Sequence, residues 1–239
     1  MSDLRSEYVE LAVADGSTMR AWFSRPAADK TRAGLMVFQE AFGVNSHIRS
    51  VADRFAQAGY AAIAPELYHR AAPGFEGQYE DSTPSIALAR QLKPEEVEND
   101  IRATHAFLRQ TVSDWIVSVG YCMGGRVSFL ANVTVPLRAA ASYYGGGLAD
   151  VMGRAAACSA PMLFFWGERD KHITGEQRQK VAEGMHASKH PSAQVTFSDA
   201  DHGFFCDQRA SYNPAAARLS WDLTLSYFEQ YLEGRKYSP

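Results

Sequence analysis

Cysteine is scarce in this chain: three residues among 239, Cys122, Cys158 and Cys206, an odd number with no CxxC pair. That spacing argues against a disulfide framework and against a zinc cluster, so no metal is expected. A charge excess is missing as well. Lys and Arg total 24 against 27 Asp and Glu, a formal net charge of −3, with no long block of one sign. Neither a nucleic-acid partner nor an anionic membrane surface is therefore expected. No apolar run approaches the ~18 residues of a spanning helix. The opening Met1-Ser2-Asp3-Leu4-Arg5-Ser6-Glu7 has no apolar stretch behind a basic one. The expectation is a chain without a secretory leader, in a reducing cytoplasmic setting where a free catalytic thiol survives.

What remains is ordinary globular composition, 46% hydrophobic and 21% charged, with no internal repeat and no low-complexity linker. The length fits one domain spanning 1–239, as a monomer or small homo-oligomer. Two strands at residues 8–13 and 18–23 are joined by Asp15-Gly16, a hairpin signal. A buried strand is expected at 34–38 and further strands at 60–64, 115–119, 137–143, 161–166 and 194–197. Helical periodicity covers 47–58, 94–108, 126–131, 175–186 and 214–232, and residues 68–84 read as loop. A hairpin feeding repeated strand–helix units predicts a mainly parallel central sheet with helices on both faces, an α/β fold. Its active site would lie at the carboxyl ends of the strands.

Gly120-Tyr121-Cys122-Met123-Gly124 sits where a strand turns into a helix. Small residues two positions either side of a nucleophile permit the sharp turn that lifts it above the sheet. The usual serine is replaced here by cysteine. By itself the pentapeptide also describes a tight turn around a packed thiol. A thiol needs a base near neutral pH, and the base needs a carboxylate. Asp170 follows the strand at 161–166 and His202 follows that at 194–197, which gives the order nucleophile, acid, base of the α/β-hydrolase arrangement. His172 is too near Asp170 in sequence to serve easily. His47, His69, His105, His186 and His190 read as exposed helix or loop residues, and Asp199 and Asp201 as turn residues. Glu40 stands where the strand at 34–38 ends, either a participant on the same rim or a solvated carboxylate. By position, the amides of Met123 and Ala41 form the oxyanion hole.

Gln39-Glu40-Ala41-Phe42-Gly43-Val44-Asn45, Pro65-Glu66-Leu67-Tyr68, Gly120-Tyr121-Cys122-Met123-Gly124-Gly125-Arg126, Tyr143-Tyr144-Gly145 and Asp201-His202-Gly203-Phe204 together resemble the dienelactone hydrolase family over nearly the whole chain. The resemblance implies a Cys–His–Asp triad and cofactor-free hydrolysis of a small ester or lactone, of the carboxymethylenebutenolidase type. It also implies that Glu40 takes the thiol proton once substrate binds. The resemblance further implies, for dienelactone hydrolase proper, two arginines that grip a substrate carboxylate, one in the loop before the mid-chain helix and one four residues after the histidine. Here the second slot is Cys206. The first region, Gln78-Tyr79-Glu80-Asp81-Ser82, is acidic, with Arg70 and Arg90 at its margins. Arg209 reads as a surface or helix-N-terminal contact. Phe42, Tyr79, Tyr144 and Phe204 (with Phe205) are candidate walls of an apolar pocket, or core. A thioesterase, or a non-catalytic small-molecule binding module on the same fold, are the competing readings.

Overall fold

Five strands are buried at every position, which is what a sheet covered on both faces requires of its central strands. They are β3 (Gly34–Phe38), β4 (Ala61–Pro65), β5 (Ile116–Tyr121), β6 (Ala139–Tyr143) and β7 (Met162–Gly167). The edges differ. β1 (Leu4–Ala12), β2 (Thr18–Pro26) and β8 (Ser192–Phe197) carry polar, partly exposed residues. In this computed structural model, which describes residues 3–28 and 31–233, the order is β1-β2-β4-β3-β5-β6-β7-β8. The β1–β2 and β2–β4 pairs are antiparallel and the rest parallel.

The chain moves from β3 outward to β4, then returns across β3 to β5 and continues the other way. Right-handed crossovers then place α1 (Ser46–Gln57) on one face, and α3 (Pro94–Thr111), α4 (Met123–Thr134) and α5 (Gly175–Met185) on the other. The final helix, α6 (Pro214–Leu232), joins α1: Trp221 meets Phe55 with ring centroids 4.3 Å apart. The reversal between β3 and β5 is a topological switch point, where loops diverge and leave a crevice. In that register Phe38 pairs with Gly120, so Glu40 and Cys122 both lie two residues beyond the same rung.

Helix starts follow their capping signals. Asn45 accepts from Ile48 N–H at 3.2 Å, Thr174 and Gln177 form a capping box, and Asn213 accepts from Ala216 N–H ahead of Pro214. Two elements lay outside the sequence expectation. The helix α2 (Thr83–Ala89) begins inside the segment read as loop, and a 3-10 helix spans Met152–Ala157. Both are short and only partly buried, so neither shows a long apolar periodicity. Among the described residues no helix is long and apolar enough to cross a membrane.

Candidate active site

Cys122 is the residue between β5 and α4, with φ 54° and ψ −120°, a left-handed conformation that costs a non-glycine residue of order 1–3 kcal/mol. Its surroundings hold it there. Cys122 N–H donates to Tyr143 O at 3.0 Å, and its carbonyl accepts from Gly125 N–H at 2.9 Å and Gly146 N–H at 3.3 Å. A Cβ on Gly120 would collide with the Gly124 carbonyl, and one on Gly124 with the carbonyls of Phe38 and Gln39. The elbow therefore needs both glycines, and it brings the start of α4 against the end of β3.

His202 and Asp170 meet from the ends of β8 and β7. His202 Nδ1 donates to Asp170 Oδ2 at 2.7 Å, while Asp170 Oδ1 accepts from the backbone N–H groups of His172 at 2.7 Å and Ile173 at 3.1 Å. Burial pulls the pKa of His202 down. The negative charge of an ionised Cys122 and hydrogen bonds to Asp170 and Cys122 outweigh it, pushing the value up to about 10. Burial raises that of Asp170, but the bonds and charge of His202 and the two backbone donors hold it below the usual carboxylate range. The arrangement is that of a cysteine sulfur beside an imidazole that a buried carboxylate orients. Asp201 accepts from His202 N–H and Asp199 from Asn213, so both serve their own loop.

Glu40 is fully buried. Its Oε1 accepts from Arg209 Nη1 at 3.2 Å and its Oε2 from the Tyr79 hydroxyl at 3.2 Å; Asn45 Nδ2 in turn donates to that hydroxyl at 3.0 Å. Arg209 is thus not the surface contact expected of it. A buried carboxylate requires a counter-charge, and the turn at Gly203 (φ 77°) leaves room for the guanidinium where any Cβ would collide with it. Phe42 and Tyr79 flank the guanidinium, with centroids 5.7 and 5.8 Å from it. Gln39 Oε1 accepts from Leu67 N–H, and the Tyr68 hydroxyl donates to Ala41 O at 2.9 Å. These bonds fix the loop that carries Ala41.

A cavity of about 430 Å³ opens on Cys122, with Ala41 and Met123 beside the thiol and Ile86, Arg90, Leu92 and Arg126 farther out. As the first residue of α4, Met123 has an N–H without an intrahelical acceptor. None of the four aromatic residues named as candidate walls lines this cavity, although Tyr79 lines a separate hollow of about 380 Å³ with Arg209. Tyr144 and Phe204 are 0% exposed and belong to the aromatic core, with the Tyr144 ring 5.1 Å from that of His202. Phe42 and Tyr79 pack around Arg209. Apolar rings near a strand end are filled in by core as readily as by ligand, and the sequence carries no signal that separates the two.

Further histidines also depart from expectation. His47, His69 and His105 are buried rather than exposed; His69 bonds Glu66 O and Ser17, and His105 bonds Pro136 O. Arg70 is committed to Asp100, by two bonds of 2.8 and 3.0 Å, and to Asp15, which leaves Arg90 as the marginal arginine that reaches the cavity. Glu40, His47 and Cys206 bring three potential metal-ligand atoms within 4.8 Å of one another. Both Glu40 oxygens already accept hydrogen bonds, so a cation there would have to displace Arg209 or Tyr79.

Sheet order, switch point and a nucleophile elbow between β5 and α4 define an α/β-hydrolase. More narrowly, the chain belongs to the dienelactone hydrolase family, whose sequence profile matches residues 19–232. It is 34% identical over 228 residues to a protein of Synechocystis sp. described as a putative carboxymethylenebutenolidase, covering 89% of this chain and 92% of the relative. It is 31% identical over 229 residues to the carboxymethylenebutenolidase of Pseudomonas putida, covering 93% and 95%. The crystal structure of a putative dienelactone hydrolase from Klebsiella pneumoniae superposes with a TM-score of 0.87 at 29% identity, covering 96% of this chain and all of that one.

Proposed function

We propose that the protein hydrolyses a carboxylic ester or lactone through a covalent acyl-enzyme on Cys122. The observation that carries this reading is the Cys122 elbow facing a histidine whose Nδ1 is held 2.7 Å from Asp170. The Cys122 thiolate attacks the carbonyl carbon, and the negative charge that develops on oxygen is met by the Met123 and Ala41 amides. Collapse of the tetrahedral species expels the alkoxide, which takes the His202 proton. Neutral His202 then draws a proton from water, whose oxygen attacks the acyl carbon; the acid leaves and the thiolate returns. In a lactone the expelled alkoxide stays tethered to the acyl group.

Glu40 is the second part of the proposal. In the arrangement described it accepts from Arg209 and Tyr79, not from the thiol. An incoming group that draws Arg209 away frees a carboxylate for the Cys122 proton, so the attacking thiolate forms when substrate is bound, and Glu40 returns that proton to the expelled thiolate when the product leaves. No metal or organic cofactor enters any step. The test is a panel of lactones, p-nitrophenyl esters and the matching thioesters. Turnover of esters that disappears in Cys122→Ala is the expected result. Turnover of thioesters alone would move the protein to the thioesterases, and turnover of nothing would favour a binding module.

A further inference from the structure

We infer that a groove running from Cys122 along α4 binds an elongated apolar chain of the substrate, so that the enzyme prefers medium-chain esters to compact ones. The inference rests on the hydrolase reading and specifies its substrate. Beyond the cavity at the thiol lies a second hollow of about 360 Å³, walled by Val97, Val127, Leu130 and Val151. Leu92 and Arg126 line both, so the two meet there. Each volume falls within the usual range for a small-ligand site, and together they exceed what a compact lactone needs.

The helix supplies the direction. Cys122 caps α4, and Arg126 and Leu130 follow at intervals of four residues, which places all three on one face. At ~1.5 Å of rise per residue, Leu130 stands about 12 Å from the nucleophile along the axis. That is the reach of an extended aliphatic chain rather than of a single ring. Ile86, on α2, is 42% exposed although large and apolar, and it lies in the wall of the first cavity. A chain in the groove would cover it. The charges nearby do not oppose this. Arg154 is paired with Glu98 at 2.8 Å, and the stem of Arg126 is apolar surface whose guanidinium can remain in water.

Burial of each methylene is worth up to about fourfold in kcat/KM. Wild-type protein assayed with p-nitrophenyl acetate, butyrate, octanoate and dodecanoate reads chains on the acyl side, and ethyl, hexyl and octyl acetates read the alcohol side. In one of the two series kcat/KM should rise at least tenfold from the shortest member to the octyl or octanoyl compound, chiefly through KM. Leu130→Trp and, separately, Val151→Trp should fill the far hollow and cut the long-to-short ratio at least fivefold. Val151 is only half-buried, so its variant is the one expected to fold if the other does not. The shortest member being preferred in both series would overturn the inference and leave the hydrolase reading intact, as would an unchanged ratio in a folded tryptophan variant. Absence of turnover on every ester sinks both.

Discussion

Two of the buried carboxylates, Asp170 and Glu40, face cations near the candidate site, and they are held in opposite ways. Asp170 bonds His202 at 2.7 Å and also receives two backbone N–H groups from the three residues that follow it. Glu40 bonds Arg209 at 3.2 Å, across 169 positions of sequence, and its other oxygen receives a side-chain hydroxyl. The first carboxylate is fixed by its own loop and has little freedom to turn. The second is fixed only by side chains from distant loops, each of which can be drawn away without unfolding a strand. A rigid acceptor suits the orienting of an imidazole, whereas a releasable one suits a base that works on demand.

The harshest break of this comparison removes what both carboxylates serve. Cys122→Ala should abolish ester hydrolysis, and Cys158→Ala should leave most of it; steady-state kinetics on a p-nitrophenyl ester decides. Asp170→Asn should cost roughly three to four orders of magnitude in kcat, because an amide neither stabilises the imidazolium nor selects its tautomer. Glu40→Gln should lower turnover by roughly a hundredfold with the triad intact. A kcat/KM within a few-fold of wild type would leave Glu40 a structural ion-pair partner and nothing more.

Smaller effects sharpen the contrast. Arg209→Met strands a buried carboxylate, a change that costs about 3–5 kcal/mol when nothing relieves it. Glu40→Gln in the same background removes the stranded charge, so the double variant should recover part of the thermal midpoint that Arg209→Met loses. His202 adds a pH dependence. Its pKa is raised from 6.5 to about 10, so the stability it contributes is complete below pH 6.5 and is lost as pH climbs through 10. Cys122→Ala removes the leading upward influence, and an NMR titration should find His202 losing its proton at lower pH than in wild type. Asp201→Ala should be the mildest, loosening one loop with a modest change in rate.

The rigid pair was legible from the sequence and the releasable one was not, for a physical reason. Asp170 follows the end of the buried β7 and His202 the end of the partly exposed β8, so the strand–loop pattern alone carries them to one end of the sheet. Cys122 is marked by the glycines its turn demands. Arg209 lies in a loop seven residues beyond His202, and its direction depends on Gly203 and on the counter-charge that a buried Glu40 requires, both of which are tertiary facts. The same holds for Tyr79, whose role follows from Asn45 and Glu40 rather than from its neighbours in sequence. Ile86 and Leu92 belong to a short helix and the turn after it, where no long periodicity exists to be read.

The order in which the chain is made matters for the nucleophile. Cys122 N–H is seated on the carbonyl of Tyr143, and the hydroxyl of that same tyrosine donates to Ser220 O at 2.9 Å and is 2.7 Å from Thr224 Oγ1, deep in α6. During synthesis Cys122, Asp170 and His202 have all been added once His202 is made, yet the residues that clasp Tyr143 follow about a score of positions later. Because domains form as units while the chain lengthens, a nascent protein halted before α6 would contain Cys122, Asp170 and His202 and still lack the anchor of the tyrosine on which Cys122 N–H is seated. The last helix to be made thus completes the support of the strand on which Cys122 is seated.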